Sequence, residues 1–154
     1  MPVTGFLAQV DADSVSCVSE ADRRFLSAFE RCELPAEQWT HLAHIRIAWV
    51  CLNLDSSMAA LARIRQGILC YNTEVLDRRQ KYHETVTVAF THIIADRMRD
   101  GENWRDFAER CNELMETGNP ILLSYYSENR LFSERARSAF VEPDLRNIPP
   151  LVDR

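Results

Sequence analysis

Apolar side chains recur every three or four positions along most of the chain, and that rhythm predicts helices. Ser19 with Asp22 reads as a capping box, Asp standing where Glu or Gln is usual, and Phe25, Leu26, Ala28 and Phe29 follow at helical spacing. A first helix therefore runs to about Cys32. Pro35 suits the first turn of the next helix, which starts at Ala36, or at Thr40 acting as N-cap, and reaches about Leu54. Met58, Leu61, Ala62, Ile64, Ile68, Leu69 and Val75 mark a third helix of roughly 20 residues. Gly67 inside it costs about 1 kcal/mol against alanine, which points to close packing there.

Residues 77–81 are polar and basic and read as a loop. A fourth helix begins near Tyr82 or His83, carries Val86, Phe90, Ile93, Ile94 and Met98, and ends about Arg99. Asn103 caps a fifth helix, with Phe107, Cys111, Leu114 and Met115 as its stripe and Gly118 as its stop. Asn119 and Pro120 open a short helix through Tyr125, and Ser127 to Ala139 predicts a last one. The tail holds Pro143, Pro149 and Pro150 and cannot be helical. The reading is an all-α, single-domain bundle of about six or seven helices. It divides into a loosely ordered segment (1–18), the bundle (19–140) and an extended proline-rich tail (141–154).

The totals narrow the function classes. A chain of 154 residues suffices for one domain with one core, and only four glycines fit a helical fold better than a turn-rich one. The net charge of −5 argues against nucleic acid as a partner, which would need a basic patch. No apolar stretch is long enough to span a bilayer, and the first residues lack the basic start and apolar run of a signal peptide. A cytoplasmic protein without a membrane partner is expected. Cys17, Cys32, Cys51, Cys70 and Cys111 form no C-x-x-C pair and are odd in number. They are expected to be reduced and mostly buried, with Cys51, Cys70 and Cys111 among apolar helical positions.

The chemistry concentrates in two helices. His41 and His44, three apart on a helix, lie about 60° from each other with Cβ atoms about 5 to 6 Å apart, so one metal ion could reach both. His83 and Glu84, at a loop-to-helix junction, are the candidates to complete the shell. Adjacent helical side chains diverge by about 100°, so the expected ligands are His41, His44 and His83. Glu84 would then orient a ligand, bind a second position or act as general base on metal-bound water. The metal would be a divalent transition ion: zinc, iron, manganese or copper. His92 falls on the opposite face from His83, and Glu37 is a weaker candidate. Tyr82 offers a phenol, Thr87 a hydroxyl on the His83 face, and Arg46 and Arg130 guanidinium groups for an anionic substrate. Against all of this stands the plain alternative: hydrogen-bonded structural histidines, a carboxylate complementing a helix dipole and solvated surface arginines.

W-T-H-x-x-H at 39–44, Y-H-E-T-x-T at 82–87 and YYS…LFSERARSAFVEPDL at 125–145 together resemble a family of small, uncharacterised bacterial helical proteins, over about 25–151. The resemblance implies an all-helical fold and singles out the same His and Glu positions. It supplies no substrate.

Two function classes follow. One is a metal-binding protein, a metal-dependent hydrolase or oxidoreductase acting on a small molecule. The other is a non-catalytic helical module that binds a small ligand or a protein through a buried His/Glu polar network. An apolar helix face leaves homodimerisation open.

Overall fold

Among the described residues, every α-helix starts at a side chain that accepts a hydrogen bond from the backbone N–H three residues on. Ser19, Thr40, Ser56, Asn103, Ser127 and Ser133 do so with oxygen, His83 with a ring nitrogen. These caps fix seven helices in the computed structural model, which describes residues 17–154. They are α1 (Glu20–Glu30), α2 (His41–Leu54), α3 (Ser57–Glu74), α4 (Glu84–Arg97), α5 (Trp104–Arg110), α6 (Glu128–Leu131) and α7 (Glu134–Ser138), with no strand among the described residues. The fold is an all-helical, single-domain bundle, as the periodicity predicts.

The differences from expectation lie at element ends. Of the two expected starts of α2, Thr40 is the N-cap that forms, and Ala36–Gln38 make a separate 3₁₀ turn. The expected loop at 77–81 contains the 3₁₀ turn Arg79–Lys81. The fifth helix stops at Arg110, and its stripe continues through the 3₁₀ turn Asn112–Met115. The short helix after Pro120 is the 3₁₀ turn Leu122–Ser124. The expected last helix is two, because Ser133 accepts from Ala136 N–H and caps a fresh start at Glu134. Most of the loosely ordered segment expected at 1–18 lies outside the described residues. Its last two residues are held: Cys17 donates to Asn53 Oδ1 at 3.0 Å and Val18 is buried.

α2 is the central element. It is apolar nearly all round, with Ile45, Ile47, Trp49, Val50 and Cys51 buried, as a helix enclosed on several sides must be. It packs on α3 and α4, with α1 against α2 and α3. Gly67 explains the closeness of α1 and α3: a Cβ there would stand 2.6 Å from Cε1 of the Phe29 ring. The tail crosses the bundle without helix, as expected. Ser57 N–H donates to Asp153 at 2.7 Å, His92 Nδ1–H to Pro149 O at 2.8 Å, and Leu145 N–H to Tyr125 O at 2.9 Å. No helix among the described residues is long and apolar enough to cross a membrane.

Candidate functional site

The walls of α2, α3 and α4 do not close completely on one another. Between them lies a cavity of about 280 Å³. Ile45, Ala48, Ile64, Ile68, Phe90 and Ile94 give it apolar walls; His41, His44, Thr87, Thr91 and Asn119 bring the polar atoms. The two histidines share it because they lie one turn apart on α2. The threonines share it because they are four apart on α4.

Each imidazole is fixed by a backbone carbonyl, which also fixes its tautomer. His44 Nδ1–H donates to Thr40 O at 2.7 Å, leaving Nε2 as a bare acceptor. His41 Nε2 sits 2.8 Å from Leu114 O, donates to it, and leaves Nδ1. The His44 ring is clamped against Trp39, centroid to centroid 3.7 Å, and Trp39 stacks in turn on Phe29 at 4.5 Å. Burial pushes His44 down to about 4, against the opposing pull of its bond to Thr40 O, and neighbouring His41 adds to the depression. At neutral pH, His44 is therefore an uncharged acceptor. Thr87 Oγ1 donates to His83 O at 3.0 Å, and Thr91 Oγ1 to Thr87 O at 2.8 Å. Both hydroxyl protons are thereby used, and their oxygens remain as acceptors.

His83 does not join the other two. Its Nδ1 accepts from Val86 N–H at 3.2 Å and its Nε2–H donates to Leu131 O at 2.9 Å, so both ring nitrogens are engaged at the start of α4. Burial lowers its pKa, opposed by the bond to Leu131. The expected three-histidine convergence does not form, and no group of three His, Cys, Asp or Glu among the described residues is placed to hold a metal ion. The physical reason is local: His83 is an N-cap, and an N-cap ring turns back onto its own helix.

Glu84 stands just inside α4 and outside the cavity wall. Tyr82 donates to its Oε2, and Arg65 of α3 meets its Oε1 at 2.5 Å. Burial and the adjoining carboxylate push the Tyr82 phenol well above its ordinary range. This trio ties α3 to α4, and Thr87 is the one member of the 82–87 motif with a polar side chain in the cavity. Arg46, expected to face an anionic substrate, is committed to Asp22 at 2.7 Å and lies over the Phe25 ring. Burial pushes the Asp22 carboxyl up, but hydrogen bonds from Arg46 and Ser19 outweigh it and hold the group below its usual range. Arg130 donates to Glu142 O, and Glu37 is exposed in its 3₁₀ turn. His92 holds the tail. Among the cysteines, Cys51 and Cys111 are buried as expected, but Cys70 is exposed.

Ile64, Ile68, Phe90, Thr91, Ile94 and Asn119 were not legible as site residues in the sequence. The i,i+4 spacing of Thr87 and Thr91 on an otherwise apolar helix was the available signal. Compared with protein-family models, curated proteins and solved structures, the chain matches none of them.

Proposed function

We propose that the protein is a non-catalytic binding module for a small, uncharged, mostly apolar molecule that carries a hydrogen-bond donor. The observation behind this reading is the chemistry of the cavity's polar atoms. Nε2 of His44, Nδ1 of His41 and the two threonine oxygens can accept, and only the Asn119 amide can donate. A ligand that brings a hydroxyl or N–H satisfies them. A carboxylate would meet acceptors and a neutral imidazole, with no cation on the wall, and would lose its water without compensation. A dry cavity of about 150 Å³ holds benzene, so about 280 Å³ suits a bicyclic or substituted ring. Metal-dependent chemistry has less support, because His83 would have to abandon two hydrogen bonds to become a third ligand.

Calorimetry with 2-naphthol and its methyl ether tests the reading. The phenol is expected to bind about tenfold more tightly than the ether, the worth of one buried hydrogen bond. In His44→Phe, which removes one of the acceptors, the margin between the two should shrink. In Ile68→Trp, which fills the cavity, neither should bind while the helical circular dichroism is kept. Equal binding of both compounds to the native protein, or full binding by Ile68→Trp, would overturn the proposal.

A further inference from the structure

Apart from the cavity, the chain places two thiols side by side. Cys32 follows the C-cap of α1, in a turn where its own φ is +57°. Cys70 lies in the last turn and a half of α3. Their sulfurs are 3.6 Å apart, although 38 positions separate them in sequence. A disulfide requires about 2.05 Å, so closure asks for an approach of about 1.5 Å. That is within what side-chain rotation and a small shift of one turn supply. Gly67 makes the approach possible by letting Phe29 lie against α3 one turn before Cys70. Cys70 is exposed and Cys32 half-buried, so an oxidant from solution meets Cys70 first. Burial, then Cys70 itself and Glu74, hold the Cys32 thiol above its usual range, which leaves the first attack to Cys70; the 3.6 Å separation then brings Cys32 to the second step.

We propose that Cys32 and Cys70 are a reversible modification site, closing to an intramolecular disulfide on exchange with a low-molecular-weight disulfide such as oxidised glutathione. The Cys70 thiolate attacks one sulfur of the glutathione disulfide, forms a mixed disulfide and releases one glutathione thiolate. Cys32, once deprotonated, attacks the Cys70 sulfur and expels the second glutathione. Two electrons pass from the pair of cysteine sulfurs to the glutathione disulfide, and the two protons end on the two glutathione thiols. The product links the end of α1 to the end of α3. Cys51 and Cys111 are buried, and burial raises both thiols, Cys51 to about 12, which keeps them out of the exchange.

The test is redox titration of the full chain. Reduced protein is equilibrated with glutathione buffers of rising oxidised fraction, alkylated and weighed intact, then digested with trypsin. The expected product has two fewer alkylated cysteines and joins peptides 32–46 and 66–78. It reverts with dithiothreitol, forms equally in Cys17→Ser and does not form in Cys70→Ser. Full alkylation of both thiols across the titration would overturn the proposal. So would glutathione adducts on Cys70 that never resolve, or a linkage through any other cysteine.

Discussion

His44 is where a single side chain couples the fold to its surroundings. In an unfolded chain its imidazole titrates near 6.5; in the bundle it titrates at about 4, because a charged ring would be desolvated against Trp39 and the apolar wall. Above pH 6.5 the ring is neutral in both states and contributes no pH dependence. Between the two values the unfolded state binds the proton and the native state does not, so stability falls as pH falls. The full gap corresponds to about 3 kcal/mol, reached by about pH 4. His83, depressed in the same direction, adds to the slope in the same acidic range. Urea unfolding of native protein and His44→Gln at pH 7.5 and 4.5 should show a loss smaller by about 2–3 kcal/mol in the variant. Equal losses would mean that the ring protonates freely in the folded state.

At the level of elements, Gly67 sets two effects against each other. Alanine would improve the propensity of α3 by about 1 kcal/mol. Its Cβ would also press into the Phe29 ring at 2.6 Å, and that ring is hemmed in by Trp39 at 4.5 Å and Tyr71 at 5.5 Å. Overpacking of this kind costs about 1–3 kcal/mol, so Gly67→Ala should lower stability by about 1 kcal/mol in a urea titration. A gain would show that Phe29 moves aside at no cost. The close packing at Gly67 was legible from its place in an apolar rhythm, and so were the capping box at Ser19, the cap at Thr40 and the bounds of α2, α3 and α4. Those signals are local: period, cap and breaker. Ser133 was less legible, because one serine inside an Arg- and Glu-rich run does not declare itself a cap. The expected convergence of His41, His44 and His83 is lost on two counts, a local cap that turns His83 Nδ1 onto α4 and a distant carbonyl that takes its Nε2–H. Motif spacing put His83 near His41 and His44 in kind, but the direction of its ring depends on which carbonyl α6 offers, and Leu131 O is 48 residues away. The cavity was invisible for a non-local reason too, since it is defined by what three helices leave unfilled.

At the scale of the whole molecule, the tail acts as a strap that fastens α3 and α4 from outside. Ser57 is buried at the first turn of α3, and both its groups are served from the tail: N–H by Asp153 at 2.7 Å and Oγ–H by Val152 O at 2.8 Å. His92 of α4 spends its Nδ1–H on Pro149 O, while Ile148 and Leu151 lie against the core. None of these tail residues lines the cavity. Truncation after residue 147 would strip hydrogen bonds worth about 1 kcal/mol each and the partial burial of two aliphatic side chains worth about 1 kcal/mol each. A loss of about 5 kcal/mol in urea unfolding is expected, with a lower midpoint and little change in slope. Below the shifted transition, the truncated protein should bind 2-naphthol as the full chain does. An unchanged midpoint would show that the tail merely lies on the bundle; a loss of binding with the fold intact would show that the strap, by holding the far ends of α3 and α4 together, sets the width of the cavity between them.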